Sequence, residues 1–304
     1  MPNILLVVFW MTGALLSFMV AAVSIRGLAA AMSIPEILAI RTGFGMVVMI
    51  ALALAIPRLR AHLKPRRMGT HVWRNAIHLV GQYFWSLGVT LLPLTMVFAL
   101  EFTMPMWVAL LAVFLLGEKM TPSRVGSIAL GFLGVLVIVR PGMEGFQPAA
   151  FVVLVAALCY ALSIIATKQL VSDVSAFAII FWMNIMQFPM ALAASDPLFF
   201  LRIDSTNWLA ALGIGIAGLT SHYCLTKAFN YGDASIVVPI DFMRIPLIAI
   251  VGWLLYDEGL DVFVFAGAAL IVVGVLWNLR AEMKRPPLTT ATPAAADQVP
   301  PRRA

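Results

Sequence analysis

Apolar residues run along this chain in long blocks separated by short polar or basic stretches. An α-helix rises 1.5 Å per residue, so about 20 mostly apolar residues are needed to cross a ~30 Å hydrocarbon layer. Blocks of that length occupy 3–25, 34–56, 72–90, 94–116, 122–140, 147–168, 175–193, 207–229, 233–256 and 261–279. The pattern predicts ten transmembrane helices. Their connections are short, apart from a basic one at 57–71 and a polar one at 194–206.

The blocks are written twice. Residues 93–140 align end to end and without a gap on 233–280. Glu101-Phe102 falls on Asp241-Phe242, Glu118 on Glu258, and GVLVIVR on GVLWNLR, while Pro105 lies one residue out of step with Pro246. Extended backward, the pairing sets Tyr83 on Tyr223; earlier still, 14–28 resembles 156–170, with Arg26 on Lys168. Each half holds five predicted spans. An odd number sends the second half into the membrane from the opposite side, as in the inverted repeats of many secondary transporters. The expected fold is therefore an all-α polytopic membrane protein of two inverted five-helix repeats, 1–142 and 143–280. Residues 281–304, rich in Pro, Ala and Thr, are expected to form a disordered cytoplasmic tail.

Composition supports the membrane reading. The chain is 62% hydrophobic and 11% charged, with mean hydropathy +0.99; soluble domains run at about 45–50% and 25%. A soluble chain of this size could not bury so much apolar surface, so the lipid bilayer is an expected partner. The formal charge of +6 raises the question of nucleic acid, and its distribution answers it. With the N-terminus in the cytoplasm, the 57–71 loop, Arg74, Lys119, Arg124, Lys168, Lys227 and the C-terminal basic residues all fall on the inner side. Only Arg26, Arg140 and Arg202 fall outside, as the positive-inside rule requires of a chain with both termini cytoplasmic. The basic residues have no aromatic interleaving for bases, so no nucleic-acid partner is expected. Cys159 and Cys224 stand singly inside predicted helices and are read as packing residues. The N-terminus has no basic n-region or clear cleavage site and is expected to be an uncleaved first span.

Within so apolar a chain the polar residues inside spans stand out. Glu101 and Asp241 each lie about eight residues into a span, roughly 12 Å deep and near the bilayer middle. A charge there costs at least ~2.5–3.5 kcal/mol and persists only facing protein or water. The pair is the leading candidate for substrate binding or proton coupling, against a structural ion pair or a packed, protonated acid. Arg244 lies one helical turn beyond Asp241, where it could neutralise it or hold the carboxylate or phosphate of a substrate. Arg41, the other intramembrane arginine, could pair with Glu101 or meet substrate. Arg74, His78 and Gln82 recur every four residues, with Tyr83 beside them, and Ser221, His222 and Tyr223 answer in the second half, His222 aligning with Gln82. A histidine can relay protons near neutral pH, though a lone one in a span is more often a hydrogen-bonded packing residue. Phe18, Tyr160, Trp85, Phe102, Phe242 and Trp182 are candidate pocket aromatics. Glu118 and Glu258, just past the ends of their spans, are expected to pair with neighbouring loops, Lys119 being the obvious local partner of the first. Glycines in the last span of each half are expected to permit close helix packing.

Enzyme chemistry finds no support. HExxH, GxSxG and GxxxxGK[ST] are absent, and so are Cys/His clusters with metal spacing. No cofactor or metal is expected. Without an ATP site, energy would come from an ion or substrate gradient. A non-transporting membrane scaffold or assembly subunit is the alternative from another class.

The segments LPL…P…LLGEK…GFLGVLVIVRPG at 92–142 and KAFNYGDASIVVPIDFMRIPL…YDE at 227–258 resemble the EamA family of the drug/metabolite transporter superfamily. The second half looks most like its S-adenosylmethionine transporter branch. The resemblance covers about 3–280. It implies a transporter of a small-molecule substrate (amino-acid-like, nucleoside-like or vitamin-like) in a bacterial inner membrane, as monomer or homodimer. It also implies a central cavity lined by the first, third, fourth, sixth, eighth and ninth spans, which would include Glu101 and Asp241.

Overall fold

The computed structural model describes residues 3–143, 147–171 and 173–284. The first half contains α1 (Ile4–Ala29), α2 (Ile34–Ala55), the single turn α3 (Pro57–Arg60), α4 (Met68–Leu91), α5 (Leu94–Glu101), α6 (Met104–Leu116) and α7 (Pro122–Val139). The second contains α8 (Ala150–Leu170), α9 (Ala176–Ala193), a 3₁₀ turn at Phe199–Arg202, α10 (Trp208–Tyr231), α11 (Ala234–Asp241), α12 (Arg244–Tyr256) and α13 (Val262–Met283). There is no strand among the described residues.

Nine helical stretches among the described residues are long and apolar enough to cross a membrane, with α5 and α6 forming one and α11 and α12 another. The tenth expected span is a 24-residue helix, α4, but it falls outside that set. Its His71, Arg74, Asn75, His78 and Gln82 lower its hydropathy, and all five are buried against protein. Their face packs on α8 and α9. Length and composition thus support nine of the ten expected spans. The expected tail also begins later than 281, because α13 continues to Met283, where Glu282 meets Arg124 at 3.0 Å. The rest of the tail, 285–304, lies outside the described residues.

The repeat is carried into three dimensions. α4, α5 and α6 begin and end at positions that align on the ends of α10, α11 and α12. α1 packs along α10 of the other half, and its counterpart α8 packs along α4. The last helices, α7 and α13, cross in an antiparallel register. A Cβ at Gly134 would lie 2.6 Å from the Gly267 carbonyl, and one at Gly274 would lie 3.0 Å from the Ser127 carbonyl. Gly134 aligns with Gly274 and Ser127 with Gly267, so these two approaches are the same contact seen from either repeat. Two ion pairs obey the same rule. Arg26 meets Glu258 at 2.5 Å, and Lys168 meets Glu118 at 2.7 Å. Glu118 also takes Arg124 at 2.5 Å; its partners come from α8 and α7, and the neighbouring Lys119 supplies only its carbonyl, to Arg124.

α5 is buried on all sides: Leu94, Val97, Phe98, Ala99 and Leu100 are fully inaccessible. Elsewhere large apolar side chains such as Leu5, Phe9, Phe114, Trp253 and Leu254 face outward, as lipid contact requires and water contact would not tolerate.

Candidate functional site

Two spans are broken at aligned positions, each immediately after its carboxylate. α5 ends at Glu101 and α6 starts at Met104; α11 ends at Asp241 and α12 starts at Arg244. The cause is local. Pro105 and Pro246 have no N–H to return to the carbonyl four residues back. The chain tightens instead, with i→i−3 bonds from Thr103 N to Leu100 O (3.1 Å) and from Met243 N to Ile240 O (3.0 Å). Each acid is thus held at the end of a half-helix rather than in an unbroken one, the arrangement in which transporter sites are built.

The two breaks meet. Phe102 and Phe242, aligned partners, pack against each other with ring centroids 4.7 Å apart and planes tilted by 56°. Beside them Arg244 binds both acids: its Nε donates to Asp241 Oδ1 at 3.2 Å, its Nη2 donates to Asp241 Oδ2, and its Nη1 donates to Glu101 Oε1 at 3.3 Å. Trp85 Nε1 donates to the second Glu101 oxygen at 2.8 Å. The guanidinium lies 3.9 Å over the Phe18 ring. The local Asp241–Arg244 pairing is therefore formed, and Arg244 reaches across the repeat boundary as well. Glu101 pairs with Arg244, not with Arg41.

These groups line a cavity of about 570 Å³ bounded by α1, α2, α4, α8, α10 and both broken spans. Arg41, His78, Gln82, Trp85, Glu101, Tyr160, His222, Asp241 and Arg244 all border it, so nine of the eleven candidate positions converge. His78 and His222 face each other with centroids 6.3 Å apart, and His78 Nδ1 contacts Gln187 Nε2 at 3.0 Å. Tyr83 and Tyr223 do not join them. Each sits one residue, about 100° of helix, beyond Gln82 or His222, is more than a third exposed, and packs edge-on to Phe84 or Trp10. Trp182 likewise packs on Phe181. The two cysteines are unbridged and half buried.

The cavity also includes groups not picked out from the sequence. Ser163 and Thr167 follow Tyr160 on one face of α8, and Thr167 Oγ1 accepts from Arg74 Nε at 2.9 Å. Their i, i+3, i+7 spacing was the available signal. Arg41 on α2 also extends the lining beyond the six spans implied by resemblance. Among the described residues no His, Cys, Asp and Glu side chains gather in a group that could hold a metal.

The two ends of the cavity differ. At one end Arg26 and Glu258 are sealed together. Arg26 also donates to Val89 O at 2.8 Å and Leu92 O at 2.6 Å, Glu258 accepts from Leu94 N at 2.8 Å, and Tyr256 covers the guanidinium at 4.5 Å. At the other end the lining runs out to Lys168 and Val171, both exposed.

A polytopic helical bundle whose broken, repeat-related spans bring charged side chains into a shared cavity is the architecture of a membrane transporter. The EamA-like transporter family model matches residues 5–140 and again 147–280, and the chain belongs to that family. It is 29% identical to a riboflavin transporter of Rhizobium johnstonii, over 91% of each chain. It is 30% identical to a riboflavin transporter of Brucella anthropi, over 80% of this chain and 90% of that one. A S-adenosylmethionine uptake transporter of Rickettsia prowazekii is 26% identical over 73% of this chain and 75% of that one. A solved crystal structure superposes with a TM-score of 0.59 over 92% of this chain and 99% of that chain, at 18% identity; that likeness bears on the fold alone.

Proposed function

We propose that this protein is a secondary active transporter that moves a small organic metabolite across the bacterial inner membrane by alternating access of two inverted five-helix halves. In this reading α4 is the tenth membrane crossing, and both termini are cytoplasmic. The metabolite class is amino-acid-like, nucleoside-like or vitamin-like. The names of the relatives, transporters of riboflavin and of S-adenosylmethionine, agree with that breadth.

One observation carries the proposal. The cavity holds both mid-span acids, is closed at one end by Arg26–Glu258, and reaches exposed residues at the other, beside the repeat-related pair Lys168–Glu118. With the basic 57–71 loop inside, the open end faces the cytoplasm. Exchanging the roles of the two repeats would close that end and open the other, the inverted-repeat route to alternating access.

In the coupled form of this reading, protonation of Glu101 or Asp241 loosens their shared hold on Arg244. In the alternative form, an uncoupled exchanger, Arg244 keeps both acids neutralised throughout the cycle. The test is uptake of solutes from a metabolite extract into proteoliposomes under an imposed proton gradient, for wild type and Glu101→Gln/Asp241→Asn. Accumulation abolished by both the double variant and an uncoupler supports coupling. Accumulation by the variant equal to wild type supports exchange. No movement of any solute by wild type sinks the transport proposal and favours a scaffold.

A further inference from the structure

The charges around the cavity do not balance, and the surplus sits in one place. Arg244 is occupied by Glu101 and Asp241, and Lys168 is paired with Glu118. Arg74 has neutral partners only: its Nε donates to Thr167 Oγ1 at 2.9 Å and its Nη1 to Asn75 Oδ1 at 2.8 Å. Arg41, which borders the cavity, makes no hydrogen bond or ion pair with any described residue. Two guanidinium groups therefore face a membrane-embedded cavity without a carboxylate. A buried cation is normally paired, because leaving it bare in a low-dielectric site is costly.

Arg41 also has a prepared seat. It lies against Gly218 of α10, where a Cβ would come within 2.8 Å of its Cγ and 2.9 Å of its Nε. The aligned place in the other repeat has Met183 facing the position of Arg41 and His78 facing that of Gly218. The arginine is thus no part of the scaffold that the two halves share. A second unmet group borders the same cavity: Gln82, 5% exposed, has an Oε1 that is buried without a partner. Phe18, Trp85 and Tyr160 supply aromatic walls.

We infer that the transported solute is an organic anion whose carboxylate or phosphate is held by Arg41, with Gln82 accepting from a donor group on the same molecule. A guanidinium presents paired donors matched to either oxyanion. The inference rests on the transport proposal above and specifies its substrate class.

The test uses the full chain in initially empty proteoliposomes incubated in a soluble bacterial metabolite extract and then washed, with the solutes taken up and retained identified by mass spectrometry. Wild type is expected to retain solutes carrying a carboxylate or phosphate. Arg41→Gln should lower their retention at least tenfold, while Arg41→Lys should keep part of it. Gly218→Ala, which displaces the Arg41 side chain but leaves its charge, should also weaken retention, and it serves if Arg41→Gln does not fold. Retention of neutral or cationic solutes alone would overturn the inference and leave transport standing. So would full retention of the anions by Arg41→Gln, or by Gly218→Ala where that variant stands in. If wild type retains nothing, the transport proposal falls and the inference falls with it.

Discussion

Arg26 and Glu258 form, at one end of the bundle, the ion pair that Lys168 and Glu118 form at the other, and the repeat exchanges one pair for the other. The surroundings differ. The side chains of Arg26 and Glu258 are only 14% and 13% exposed, against 63% and 28% for Lys168 and Glu118. One pair is built into a closed end, while the other borders an open mouth.

Removing one partner of a buried pair strands the other charge and costs about 3–5 kcal/mol. Glu258→Gln should therefore lower thermal stability markedly, and Arg26→Glu/Glu258→Arg should recover part of the loss. Unfolding of the single and double variants in detergent tests this; equal stability of Glu258→Gln and wild type would show that the seal contributes nothing.

The exposed counterpart should behave differently. Lys168→Gln should cost no more than about 1 kcal/mol, as surface pairs do. The hydrogen bond from Lys168 outweighs the desolvation that opposes it and, with the hydrogen bond from Arg124 and the charges of both cations, holds the Glu118 carboxyl below its ordinary range. A folded value below the unfolded one means that stability is present above the unfolded value of about 4.3. It is lost as pH falls through the folded value. The melting temperature of wild type should exceed that of Glu118→Gln at pH 7, and the gap should close on acidification.

Arg244 is the common partner of two mid-span acids. Arg244→Gln should destabilise the protein by about 3 kcal/mol or more, because both carboxylates lose their cation. Asp241→Asn should disturb Arg244 more than Glu101→Gln does, since Asp241 accepts two of its donors and Glu101 one, at 3.3 Å. Chemical denaturation of the three variants would rank them, and the reverse order for the acids would show that the Glu101 contact dominates.

At the α7–α13 crossing the obstacle is backbone. Gly134→Ala and Gly267→Ala would each bring a methyl within 2.6 Å of the opposite helix's carbonyl, and such overpacking costs about 1–3 kcal/mol. Gly69→Ala, with nothing within 4 Å, is the control. Comparison of melting temperatures should show losses for the first two and none for the third.

The chain by itself determined nine apolar spans, the twofold repeat and the two acids. All three are local or periodic properties: an apolar run long enough for the bilayer, a pattern written twice, a carboxylate where no charge is expected. It also showed the His78–Gln82 stripe and the one-turn spacing of Asp241 and Arg244. Only the tertiary structure decided how these residues are partnered. Nothing local says that Arg244 reaches Glu101 in the other half, that Glu118 turns to α8 rather than to Lys119, or that Tyr83 and Tyr223 face away from the cavity beside neighbours that line it. Nor does it say that Arg41 stays unpaired in its seat on Gly218. Those outcomes depend on which faces of helices far apart in sequence come together, and on the breaks at Pro105 and Pro246 that bring the two acids to one guanidinium.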